Sequence, residues 1–164
     1  MPSLPELNTL PQDAFTAALA GLFEHSDWVA ARTWALRPFA SVEALHETMC
    51  TVMHEATEEE KLTLICAHPD LGDRLATLTP ESASEQAAAG LNQLTAAEQA
   101  RFHSLNAAYK ARFGFPFILC ARLNDAASML SAFENRLPHD RDTEIATALA
   151  EIEKIARLRL ERVF

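Results

Sequence analysis

The stretch "TEEEKLTLICAHPDLG", Thr57 to Gly72, contains the local signals on which the fold reading rests. Thr57 followed by Glu60 is a capping box, in which a hydroxyl and a carboxylate each take up a backbone N–H that a helix start leaves open. An apolar run follows, and His68-Pro69 stops it, because proline lacks an amide hydrogen and disfavours helical geometry in the residue before it. The spacing therefore predicts a helix that begins on a cap and ends at a proline, leaving the imidazole of His68 where the chain turns.

The same signs recur on either side. A first helix is expected over about Gln12 to Glu24, with Phe15, Leu19, Leu22 and Phe23 on one face, and a second over about Asp27 to Leu36, stopping before Pro38. Ser41 caps a third through about Ala56. Ser82 with Glu85, Thr95 with Glu98 and the Asp125 region mark three further starts, and a last helix is expected from about Asp142 to Arg162. With four glycines in 164 residues, many Ala, Leu and Glu, and no alternating strand pattern, the fold class is all-α. No Pro/Gly/Ser-rich linker divides the chain, so a single-domain compact helical bundle over residues 1–164 is expected.

Composition narrows the function. A formal charge of −9, from 23 acids against 14 bases, argues against nucleic acid, whose binding rests on clustered Lys and Arg. No apolar run approaches the length a bilayer span needs and the N-terminus has no signal-like pattern, so no membrane partner is expected. Cys50, Cys66 and Cys120 form no CxxC pair and fit reduced thiols, and a soluble cytoplasmic protein is the simplest expectation.

Five features are candidates for chemistry, and each has a plainer reading. His68 at a helix C-terminus can serve as a cation or general acid near neutral pH, or simply satisfy loose carbonyls. Ser82, Glu85 and Gln86 place a hydroxyl, a carboxylate and an amide at one helix start, suited to the N–H and C=O groups of a polar heterocycle. The same Ser82/Glu85 spacing reads equally as a capping box that needs no substrate.

On the last helix, at ~100° per residue, Arg159 falls within about 40° of Ile145, Ile152, Ile155 and Val163, whereas Arg157 lies about 160° away. A guanidinium in an apolar stripe must find an anion or carbonyl; the plainer reading is a structural ion pair or a snorkelling side chain. "RFGFPFILCAR", Arg112 to Arg122, breaks a helix at Gly114 and Pro116 and offers Phe115, Phe117 and Ile118 as an aromatic wall with main-chain groups, or as a core crossing. His46, Cys50 and His54 share one helix face, but they lack a fourth ligand and an HExxH pattern, so no metal is expected.

Taken together, "AHPDLG", "SASEQAAAGL", "LNAAYKARFGFPFILCAR" and "RLPHDRDTEIATALAEIEKIARLRL", with "ELNTLPQDAF", "LFEHSDWVAARTW" and "RPFASVEALHETM", resemble the OHCU decarboxylases. These act on 2-oxo-4-hydroxy-4-carboxy-5-ureidoimidazoline (OHCU) in urate degradation. The resemblance covers nearly the whole chain. It implies an all-helical, cofactor-free enzyme, usually a homodimer, that converts OHCU to (S)-allantoin and carbon dioxide.

By the same resemblance the catalytic residues fall on His68, Glu85 and Arg159. Substrate-binding positions fall on Pro69, Ser82, Gln86, Phe115, Phe117 and Ile118. The loop "GDRLATLTPE" is shorter than in many relatives, which bears on the placement of Asp73 and Arg74. The rival expectation is a non-catalytic helical protein that binds a purine-derived metabolite or a partner protein.

Overall fold

Local hydrogen bonding explains where most helices begin. In the computed structural model, which describes residues 2–73 and 77–164, Ser41 Oγ accepts from Ala44 N at 3.0 Å and opens the helix Val42–Glu55 (α4). Thr57 and Glu60 form the expected capping box: Glu60 N donates to Thr57 Oγ1 at 3.1 Å and Thr57 N to Glu60 Oε1 at 3.2 Å, opening Glu58–Cys66 (α5). Thr95 and Glu98 repeat the device ahead of Ala96–Phe113 (α7). Asp125 caps Ala126–Arg136 (α8), and Asp140 Oδ1 accepts from Thr143 N in the first turn of Arg141–Leu160 (α9). Among the described residues the fold is α-helical without strands, as expected.

Three starts or ends differ from the sequence expectation. A short helix, Leu4–Leu7 (α1), precedes Gln12–Ala18 (α2). The second of these stops six residues before Glu24, although Phe15, Leu19, Leu22 and Phe23 are all buried as foreseen. Gly21 adopts φ +81°, a conformation that favours glycine, and the turn it makes leaves its carbonyl to a long-range partner described below. The next helix, Trp28–Thr33 (α3), tightens into a 3₁₀ turn, Trp34–Leu36, and ends ahead of Pro38 as expected.

The third difference concerns Ser82 and Glu85. The helix Pro80–Ala88 (α6) is capped by Thr79, whose Oγ1 accepts from Ser82 N at 3.3 Å. Ser82 and Glu85 therefore lie inside the helix and form no capping box. Thr79-Pro80 supplied a better start, since proline is preorganised for the first helical position and gives up no needed N–H there.

The chain divides into two compact units, Met1–Ala67 with Glu153–Phe164, and His68–Ile152. In the first, α3 packs against α2 and α4 over a core that includes Leu7, Phe15, Val29, Leu45, Met53 and Ile65. The Asn8 side chain clamps Phe39 through two 2.9 Å bonds to its N–H and C=O, and Arg37 lies over Trp34 at 4.3 Å while donating to the carbonyls of Asn8 and Leu10. These local ties hold the link between the second and third expected helices.

The second unit is built on aromatic rings. Phe117 stacks on Phe133 with centroids 3.8 Å apart, and Tyr109 meets the Phe117 ring edge-on at 5.2 Å. Such pairs contribute beyond the area they bury. Phe133 is fully buried, so Phe133→Ala is expected to lower unfolding free energy by about 3–5 kcal/mol, measured by urea titration with an unchanged m-value.

Candidate functional site

The candidate residues of the second unit lie on three pieces of chain. α5 ends at Cys66, Ala67 closes it, and His68 follows as a buried side chain, 9% exposed, immediately before Pro69. Ser82, Glu85 and Gln86, spaced three and four residues apart, form the buried face of α6, with 5%, 7% and 3% exposure. A helix face ordinarily buries apolar groups, and here it buries a hydroxyl, a carboxylate and an amide.

Gln86 ties this face to the loop after His68. Its Oε1 accepts from Gly72 N at 3.0 Å and its Nε2 donates to Asp70 O at 3.2 Å. Asn106, on α7, donates from Nδ2 to Leu71 O at 2.9 Å, and Lys110 pairs with the Asp70 carboxylate at 2.6 Å. The backbone of "PDLG" is thus held from both sides. Gln86 uses one donor and one acceptor here, and an amide carries a second of each. Asp73 follows this held turn, its carboxyl raised by burial and by the Asp70 charge, whereas Arg74 lies outside the described residues.

The third piece is the segment after α7. Gly114 ends that helix at φ +80°, where its N–H donates to Lys110 O at 2.8 Å; a side chain would be strained at this position. Phe115, Phe117, Ile118 and Cys120 are all buried beyond it. Cys120 N donates to Glu151 Oε2 at 3.1 Å, and burial, with the charges of Glu151 and Glu85, pushes the Cys120 thiol up. The 3₁₀ turn Ala121–Leu123, directly after it, packs against α6. Within this unit the structure therefore brings the α6 face beside both the loop following His68 and the end of the aromatic segment.

Arg159 belongs to the other unit. It is 4% exposed, as its place in the apolar stripe requires, and Nη1 donates at 2.8 Å both to Glu24 Oε2 and to Gly21 O. Glu24 is itself 2% exposed. Arg157, by contrast, pairs at the surface with Glu161 and Glu43. The anion and the carbonyl that a buried guanidinium needs are both present, and both come from the turn that interrupts the first expected long helix.

Glu24 is a residue the sequence reading missed as a partner; its signal was a lone carboxylate directly after the apolar pair Leu22-Phe23. The His46, Cys50 and His54 face is engaged with α9. His46 Nε2 lies 2.9 Å from Glu153 O, Cys50 Sγ lies 3.4 Å from His46 Nε2, and His54 pairs with the Glu153 carboxylate. Burial, then the Glu153 and Glu47 charges, pushes the Cys50 thiol up to about 12. Among the described residues no three metal-ligating groups are placed to hold an ion.

Fold and burial together define an all-α protein that keeps ionisable side chains in its interior; among the described residues no helix is long and apolar enough to cross a membrane. A family model for OHCU decarboxylase matches residues 8–161. The chain is 40% identical over 161 residues to the 2-oxo-4-hydroxy-4-carboxy-5-ureidoimidazoline decarboxylase of Halalkalicoccus jeotgali, spanning 98% of this chain and 91% of that one. A crystal structure of an OHCU decarboxylase in the presence of (S)-allantoin matches with a TM-score of 0.73 and 25% identity, over 93% of this chain and 97% of that one. A crystal structure of an (S)-allantoin synthase matches with a TM-score of 0.77 and 31% identity over 99% of this chain, which spans about half of that longer chain (54%). The chain belongs to the OHCU decarboxylase family, and as such is a carboxy-lyase of urate degradation.

Proposed function

We propose that residues 1–164 work as one domain that decarboxylates OHCU to (S)-allantoin and carbon dioxide without a cofactor, in the cytoplasm and as a homodimer. The observation that carries the assignment of residues is burial: His68, Ser82, Glu85 and Gln86 in one unit, and Arg159 in the other, are polar side chains with no more than 9% exposure. The family resemblance of the sequence motifs falls on these same positions, and desolvated polar groups are where binding and charge stabilisation act most strongly.

Loss of carbon dioxide leaves an electron pair on the ring carbon that bore the carboxylate. The adjacent imidazoline system accepts that pair as an enolate-like species, so the substrate supplies its own electron sink. A proton then arrives at the ureido-bearing carbon, and the former hydroxyl becomes a carbonyl as its proton passes to the ring nitrogen that took up the charge. In this reading His68, beside Pro69, faces the carboxylate and hydroxyl and delivers or relays the proton to one face, which accounts for a single enantiomer. Glu85, Ser82 and Gln86 fix ring and ureido N–H groups.

Main-chain N–H groups near Phe117 stabilise carbonyl oxygens as charge develops, and the family resemblance assigns the same work to Arg159. Phe115, Phe117 and Ile118 exclude water, which strengthens each polar contact. Holding the scissile C–C bond perpendicular to the ring is the positioning contribution.

The test is direct. Freshly generated OHCU is mixed with the protein and (S)-allantoin is followed by circular dichroism. Acceleration over the spontaneous reaction, with one enantiomer in excess, is expected. A rate equal to the spontaneous one would overturn the enzymatic reading in favour of a binding protein.

A further inference from the structure

We propose that Arg136 is a positioning residue that sets the place of the Phe117-Ile118 backbone and thereby the affinity for substrate. The proposal rests on the reading above that this segment lines the substrate site. Arg136, at the end of α8, is 7% exposed and makes three different contacts in one plane-bearing group. Nε donates to Glu144 Oε1 at 2.8 Å, Nη1 donates to Ile118 O at 2.6 Å, and the guanidinium carbon lies 4.2 Å from the centroid of the Phe117 ring. One side chain therefore grips the carbonyl of one pocket residue and the ring of the residue before it.

Glu144 fixes the arginine in turn. Its side chain has no exposure, Oε1 also accepts from Tyr109 Oη at 2.5 Å, and Oε2 lies 3.0 Å from His139 Nδ1. Two further side chains of α9 hold the same stretch of backbone, Arg141 at Phe113 O (3.2 Å) and Glu151 at Cys120 N (3.1 Å). The segment between them has no helix to fix it, and Arg136 supplies the hold at its centre.

A simple structural ion pair would not need the geometry seen here. Nη2 of Arg136 is buried with no protein partner, a cost that a lysine or an apolar pair would avoid. Only a planar, forked cation can bond a carboxylate and a carbonyl in different directions while stacking on an aromatic face; an ammonium keeps the charge beside Glu144 but loses the fork and the stacking.

Arg136→Lys is therefore expected to raise KM for OHCU and the Kd for (S)-allantoin about tenfold or more, with kcat changed much less, because the wall is displaced while the reacting groups are retained. Amide hydrogen exchange over residues 117–120 is expected to quicken in the same variant without substrate present. Tyr109→Phe is the control: it removes one bond to Glu144 and leaves Arg136 on Ile118 and Phe117, so it should lower Tm while KM and exchange at 117–120 stay as in the wild type.

Arg136→Lys kinetics and exchange equal to wild type, or an equal rise in KM from Tyr109→Phe, would overturn the proposal. Should Arg136→Lys fail to fold, Arg136→Gln combined with Glu144→Gln removes both buried charges together and is read by the same two measurements. Failure of the wild type to accelerate OHCU loss would count against the enzymatic reading alone, since the exchange comparison still decides whether Arg136 holds the segment.

Discussion

His68→Asn is expected to lower kcat for OHCU decarboxylation by about 10²- to 10⁴-fold, the range that a positioned proton donor contributes. Asparagine occupies a similar volume and keeps hydrogen-bonding capacity, but it cannot deliver a proton. Two readouts separate the roles His68 can play. Product formed slowly and as a racemate identifies the proton donor, because solvent then protonates either face. Slow formation of (S)-allantoin with its enantiomeric excess intact identifies an orienting group. Stopped-flow circular dichroism with total allantoin measured in parallel gives both, and unchanged turnover with unchanged chirality would remove His68 from the mechanism.

A loss of stability as large as that of Phe133→Ala is expected from breaking the Glu24–Arg159 pair. Glu24→Ala removes a carboxylate that lies 2.8 Å from the Arg159 guanidinium, itself 4% exposed, and a loss of about 3–5 kcal/mol in unfolding free energy is expected by urea titration. Replacing both partners, Glu24→Leu with Arg159→Met, removes both charges together and is expected to bring stability back to within about 1–2 kcal/mol of the wild type. The same double variant is expected to show no turnover, because the cation that balances developing negative charge has gone. A folded double variant that retains wild-type kcat would show that Arg159 is only a structural ion pair.

These two experiments address features that were legible to different degrees. His68-Pro69 marks a helix end in the sequence itself, and α5 does end there, because loss of the proline N–H and the clash with the preceding residue are local facts. Arg159 was legible as a buried cation from helical periodicity alone. Its partners were not: Glu24 and Gly21 lie 135 and 138 residues away, and Gly21 reaches Arg159 only because α2 stops short of the length its apolar pattern suggests. A tertiary hydrogen bond to a buried guanidinium outweighs two more turns of helix, each of which would add little on its own in water.

Glu85 shows the opposite error. Its spacing from Ser82 fits a capping box, and the same spacing is a true box at Thr57/Glu60 and Thr95/Glu98. Pattern cannot distinguish the three, since residues three apart also share a helix face. Thr79-Pro80 takes the start of α6, and the carboxylate consequently sits on a buried face.

The sequence by itself determined the fold class, the caps at Ser41, Thr57 and Thr95, the break at Gly114 and the burial of Arg159. Each depends on bonds within one turn or on the 3.6-residue period, so neighbours in the chain suffice to specify it. Only the tertiary structure decided that Arg159 meets Glu24, that Gln86 and Asn106 hold the backbone after His68, and that Arg136 grips Ile118. Those pairings follow from which surfaces pack together, and a buried charge or amide takes its partner from whatever the packing brings within about 3 Å.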